Sequence, residues 1–200
     1  MNTRVSREFA FQAAIHYEDS FIINSYHLDM SMDVTTEDIR EQNIALDRIK
    51  YLLSECFENC VFIEFSETKA IDAYLKAGLK VCQLPEEPFD QIVAAVLLSK
   101  FNTVTEKKLF ISEIKIRSSI CDDVTFYVTS EEDIEFYGSP NVWWTENNAS
   151  IFDTNKRTKK EKIVELRKEP IDWNSIGLSW KEKKSTSKDN GEIVFIPLDK

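Results

Sequence analysis

Apolar and polar residues take turns along the first part of the chain. Between Glu8 and Ile15, the residues Phe9, Phe11, Ala13 and Ile15 fall on one side, the period of two that a strand requires. After the polar Tyr17-Glu18-Asp19-Ser20 the alternation resumes. Tyr26, Leu28, Met30, Met32 and Val34 share one face, and Ser25, His27, Asp29, Ser31 and Asp33 the other. The spacing predicts an antiparallel hairpin with one wet face. Thr35 and Thr36 then offer N-caps, with Thr35 and Asp38 imitating a capping box. Ile39, Leu46, Ile49, Leu53 and Cys56 or Phe57 make one helical stripe that Asn59 ends.

Val61–Phe65 is a short β-rich run, and Glu67–Ala77 reads as a short helix stopped by Gly78. A third helix opens at Leu84-Pro85-Glu86-Glu87-Pro88, with Pro88 placed in its first turn. Its apolar face is Phe89, Ile92, Val93, Val96, Leu97 and Phe101. Alternation returns over Leu109–Ile116 and Val124–Thr129 and predicts a second strand pair. The fold class is therefore α+β: an antiparallel sheet of two hairpins with helices on one face, in the order ββααββ, followed by an irregular tail.

Composition sharpens the division of the chain. The 200 residues suit one α+β domain, residues 1–135, and a polar extension, residues 136–200. The net charge of −10 is unevenly spread. Residues 1–155 carry 27 acidic and 13 basic side chains, and residues 156–200 carry 8 acidic and 12 basic. An acidic body thus bears a basic tail. With only 4 glycines and 2 histidines, Gly-rich phosphate loops and multi-histidine motifs are disfavoured, and none is found. No run of 18 apolar residues and no leader-like segment is visible. The 4 cysteines form no C-x-x-C pair and read as reduced thiols of a cytoplasmic protein. No metal site and no cofactor is expected.

The order of elements, with some local sequence, resembles the tunnelling fold of the tetrahydropterin synthases. Phe11-Gln12-Ala13-Ala14-Ile15-His16 is similar to the family's Phe-x-Ala-Ala-His run with one residue inserted. Ile22-Ile23-Asn24-Ser25-Tyr26 occupies the place of its His-x-His-Asn/Ser-Tyr segment. Pro85-Glu86-Glu87-Pro88 stands where a Pro-Thr-x-Glu-Asn signature opens the third helix, and Glu87 is the nearest match to its ligand-anchoring glutamate. The resemblance implies a zinc enzyme that assembles from several copies, but the zinc histidines are missing: Ile22 and Asn24 replace two, and only His16 is left. What it implies here is the scaffold without the synthase chemistry.

Several side chains remain candidates for function. Glu86 and Glu87 could grip the N–H groups of a pterin or purine at a subunit interface, or simply complement a helix dipole. His16 and His27 could act as acid–base groups; both also read as ordinary strand-end and strand-face residues. In the tail, Trp143, Trp144, Trp173, Ile176, Leu178 and Trp180 are costly to leave in water. They fit either anchors for a protein partner or a segment folded back on its own domain or a sister subunit. Lys156-Arg157-Thr158-Lys159-Lys160 could meet phosphates. Three functions follow. The first is a non-catalytic, oligomeric binding or accessory protein engaging a protein partner through its tail, a composition that would suit a viral accessory protein. The second is a pterin- or purine-binding protein or enzyme, and the third a nucleic-acid-associated regulator.

Overall fold

The computed structural model describes residues 3–121, 123–130, 142–151 and 171–181. The alternating segments become two long strands, β1 (Thr3–Tyr17) and β2 (Ser20–Val34), paired antiparallel along their whole length. Glu18 and Asp19 form the two-residue turn between them, both at positive φ (45° and 58°). That conformation matches the twist of a hairpin, although glycine or asparagine adopts it more readily than glutamate.

After α1 (Ile39–Tyr51) the chain makes β3 (Cys60–Glu64), α2 (Thr68–Lys76), β4 (Lys80–Leu84) and α3 (Asp90–Thr105). It closes with β5 (Leu109–Ser118) and β6 (Phe126–Thr129). The sheet runs β4-β3-β1-β2-β5-β6. Its two hairpins, β1–β2 and β5–β6, are antiparallel and meet through β2 and β5, as the alternation predicts. The structure adds β3 and β4, which pair in parallel with β1 and with each other. Residues 80–84 are too short and too mixed in polarity to announce a strand by themselves.

The apolar face of the sheet carries α1 and α3. Phe11, Tyr26, Leu28, Met30, Ile114 and Ile116 are buried there against α3's Val93, Val96, Leu97 and Phe101. Nearly every side of α3 is covered, so it reads as apolar all round rather than striped. The other face of β3 and β4 is covered as well: Ile63 and Val81 pack on Ile71 of α2 in a separate cluster. Neighbours on a strand point to opposite faces, so Cys60, Phe62 and Cys82 join the main core while Ile63 and Val81 meet α2. One end of the sheet is therefore sandwiched, and the rest keeps a polar outer face.

Local details depart from expectation for identifiable reasons. Asp38, not Thr35, caps α1, its side chain accepting from the Arg40 N–H at 2.8 Å. Thr36 instead donates to Glu41, at 2.7 Å. Ile39 is 71% exposed, so the buried stripe starts at Ile44. The end of α1 widens into a π-turn over Leu52–Phe57, and Asn59 stops it at a φ of 57°. Gly78 closes α2 at a φ of 79°, as predicted. Pro88 precedes α3 rather than entering it: Phe89 is extended, and the helix starts at Asp90. A bulge in β5 leaves Ser112 opposite no residue of β2. Asn102 of α3 secures that point by exchanging two hydrogen bonds with the Ile111 backbone, at 2.8 and 3.0 Å.

Residues 142–151 and 171–181 do not form a separate unit. Trp143, Trp144, Ala149, Ile151 and Trp173 belong to the main core, and Ala149 bridges to Ile171. The expected boundary at residue 135 is thus not an edge of the core.

Candidate functional site

The sandwiched end of the sheet brings several sequence-selected residues together. A cleft of about 140 Å³ lies between the β1–β2 turn, the end of β3 and the loop before α3. His16, Glu18, Asp19, Glu64, Glu67 and Glu87 line it. Each arrives by a local device: the positive-φ turn delivers Glu18 and Asp19, the N-terminus of α2 delivers Glu67, and the loop ahead of α3 delivers Glu87. Glu86, Glu87 and Phe89 border an adjoining, more open hollow together with Glu64.

His16 is 8% exposed, and its Nδ1 is 2.9 Å from the Tyr74 hydroxyl of α2. The two rings meet edge to face at 5.6 Å. Aromatic side chains rim the same end: Phe21 lies 5.7 Å from Tyr74, and Tyr17 lies 5.6 Å from Phe89. His27 is elsewhere. It is exposed and pairs with Ala10 and Arg117, whereas His16 pairs with Phe21. Six residues of β2 separate the two positions, roughly 20 Å at about 3.3 Å per residue. The two histidines therefore do not share one site.

Just beyond Glu87 stands a residue that sequence reading passed over. Asp90, the first residue of α3, is 6% exposed, and its Oδ2 has no hydrogen-bond partner. Burial pushes its carboxyl above the ordinary aspartate range, with Ser118 opposing the shift. Tyr26 of β2 lies within its electrostatic reach and is fully buried, with the Asn24 side chain acting on its hydroxyl. Burial is likewise the main cause that raises the Tyr26 phenol. Asn24, 1% exposed, walls the region and accepts at Oδ1 from the Ser119 hydroxyl and the Ile120 N–H, at 2.9 and 3.3 Å. The available signal was an aspartate heading an otherwise apolar helix, which is equally an ordinary helix-start residue.

The tail tryptophans stand differently from the anchor expectation. Trp143 is fully buried, and its Nε1 donates to the Gln83 carbonyl at 2.8 Å. Trp144 packs against it, ring centroids 5.8 Å apart. Trp173 donates to Asn147 Oδ1 at 3.2 Å, and Ile176, Leu178 and Trp180 pack on the core. The Arg48 guanidinium lies 4.8 Å from the Trp173 ring and 3.9 Å from that of Trp180. These six side chains are occupied by their own chain, because burying the indoles here satisfies both their area and most of their N–H groups. The exposed, partner-seeking reading is corrected accordingly. The 156–160 basic run lies outside the described residues.

Among the described residues no group of three or more metal-ligating side chains is placed to hold an ion. No helix among them is long and apolar enough to cross a membrane.

No protein-family model matches the chain, and no curated protein matches it significantly. Among solved structures it is similar to an uncharacterized protein from Wolinella succinogenes, with 8% identity and a TM-score of 0.49 over 65% of this chain and 99% of that one. It is also similar to 6-pyruvoyl tetrahydropterin synthase from Plasmodium vivax, with 7% identity and a TM-score of 0.43 over 64% and 97% of the two chains. The Plasmodium falciparum enzyme gives 11% identity and a TM-score of 0.42 over 64% and 96%. The expected resemblance thus finds its counterparts at low superposition, and no chemistry is carried over from them.

Proposed function

We propose that the chain is a non-catalytic binding protein that holds a flat, N–H-bearing heterocycle, of the purine or pterin class, where the start of α3 meets β2 and β5. The observation that carries this reading is the buried, unclaimed Asp90 Oδ2, with the buried Tyr26 phenol within its electrostatic reach. A buried polar atom without a partner costs about 1–3 kcal/mol, and such a cost is characteristic of a site that awaits a ligand. A carboxylate only accepts and a phenol both donates and accepts. Together they suit a ring edge on which N–H and bare nitrogen alternate. The carboxylates of the neighbouring cleft favour the same donor-rich ligand and repel anions.

Assembly with further copies of the chain fits the same end of the molecule. Phe21, Ile23 and Phe89 are 50%, 71% and 50% exposed there. Contiguous exposed apolar residues commonly mark an interaction surface. Among the described residues β4 and β6 are the outer strands of the sheet, edges of the kind that neighbouring subunits cover.

Asp90→Asn tests the ligand reading with two readouts. Guanine- and pterin-type compounds should raise the melting temperature of the parent by several degrees and leave the variant unmoved. Without ligand, the variant should be the more stable protein at neutral pH. The sign follows from the raised carboxyl: above the ordinary aspartate range the unfolded chain releases this proton while the native chain retains it. Asp90 therefore subtracts stability as pH rises through that window. If no compound of either class shifts the parent, the ligand reading fails, whatever the variant's own stability.

A further inference from the structure

Lys100 lies midway along α3, within the core and away from the cleft, and it is fully buried. Its Nζ donates to the Trp143 carbonyl at 3.1 Å and to the Glu146 carbonyl at 2.7 Å. It also sits 5.6 Å from the Trp143 ring centroid. Among the described residues no carboxylate oxygen forms an ion pair with it. A buried ammonium that rests on two carbonyls and a ring lacks the counter-ion such a group ordinarily requires.

We propose that Lys100 is a pH-sensitive tether, which holds residues 142–151 on α3 more firmly as pH rises through neutrality. A neutral amine still offers two N–H groups, one for each carbonyl, so both contacts survive loss of the proton. What disappears is the cost of a charge in the core. Burial is the main cause that lowers the amine, to about 7, and the charge of Glu146 opposes it; Cys56 and Cys82 also face it but stay neutral thiols at this pH. These are the titratable groups that face it: Glu146 from the tethered segment, Cys56 from the π-turn after α1, and Cys82 from β4.

The sign is the reverse of the usual lysine. Below about pH 7 the amine is charged in both folded and unfolded chains, and the burial cost is felt in full. Above that, the native chain releases a proton that the unfolded chain retains up to about pH 10.4, so stability rises with pH. The cysteines limit the window from above. Burial raises Cys56 to about 11 and holds Cys82 well above the ordinary thiol range, so thiol ionisation in the unfolded chain, beginning near pH 8.5, acts in the opposite direction. Between about pH 7 and 8.5 the lysine dominates.

Hydrogen exchange on the full chain tests the tether. The Thr145 and Glu146 amides, bonded to the Val142 and Trp143 carbonyls at 2.9 and 3.1 Å, report on the segment directly. Their protection factors, in which the intrinsic pH dependence of exchange is divided out, should climb between pH 6.5 and 8.5 by up to about tenfold per pH unit, the limit for one proton. Lys100→Met should flatten that climb. Should Lys100→Met fail to fold, Lys100→Arg, charged throughout the range, should give low and flat protection. A flat profile in the parent, or an unchanged slope in either variant, overturns the proposal.

Discussion

Replacing Arg48 by alanine should cost about 3 kcal/mol and release residues 171–181 from the body of the protein. The guanidinium is 2% exposed and connects α1, the end of α3 and residues 171–181. Its Nε donates to the Leu178 carbonyl at 2.9 Å, and its Nη1 donates to the Val104 carbonyl at 2.8 Å and to Glu106 at 3.0 Å. Its two faces meet Trp173 and Trp180. Arg40 adds a bond to the Trp180 carbonyl at 2.8 Å, so two arginines of α1 hold the backbone of the segment. Removing one partner of a buried pair costs about 3–5 kcal/mol, and Glu106 is partly solvated, which places the estimate at the low end. Urea unfolding followed by far-UV circular dichroism gives the energy, and a red shift of tryptophan emission in the folded baseline shows the release. Arg48→Lys keeps the charge but loses the planar fork and the stacking, so it should fall between. A change under about 0.5 kcal/mol in Arg48→Ala, within the range of ordinary surface substitutions, would mean that the segment is held by its apolar contacts alone.

Trp143→Ala should be of similar or larger effect, about 3–5 kcal/mol. The indole is fully buried between Phe57, 6.0 Å away, and Trp144, 5.8 Å away. Its N–H serves the Gln83 carbonyl at the end of β4. Truncation leaves a cavity and removes this hydrogen bond. Trp143→Phe fills most of the space but abandons the carbonyl, and should lose about 1–2 kcal/mol. A net stability of about 5–15 kcal/mol is usual for a domain, so the alanine variant would place a large share of the folded population at risk. Chemical unfolding monitored by circular dichroism distinguishes the two variants. Equal losses for both would show that the hydrogen bond, rather than the packing, carries the effect.

The strands that announce themselves in the sequence are those with one wet and one dry face. β1, β2 and β5 carry the period-two signal because only one side of each is covered along most of its length. β4 has no such signal: Lys80–Leu84 is covered on both faces and lasts five residues, so neither alternation nor length identifies it. The tail was illegible for another reason. Trp173 is flanked by polar residues and Trp143 sits in a run of only three apolar ones, Val142–Trp144, and nothing local says whether an indole in such company seeks a partner or its own core. Lys100 and Arg48, the two buried cations, were invisible because lysine and arginine on a helix ordinarily face water. Of the residues lining the cleft, His16 and Glu87 are those that the family resemblance singles out in the sequence. Asp90 was not legible, since its significance is the missing hydrogen bond at one oxygen, which only three dimensions reveal.

The turn at Glu18–Asp19 and the parallel pairing of β3 with β1 differ sharply in how far the chain must travel to make them. The hairpin closes over two residues and can zip from its turn outward. β3 reaches β1 only after the whole of β2 and α1, joining Val61 to Ala14 and Phe62 to Ile15. Closing long loops before their contacts reward them slows folding. The cleft stands where those two events meet, with His16 and the turn acidic residues on the early hairpin and Glu64, Glu67 and Glu87 on segments that follow the late crossover. Its walls thus come from contacts of very different loop length, and the cleft should be complete only once the non-local half of the sheet has docked.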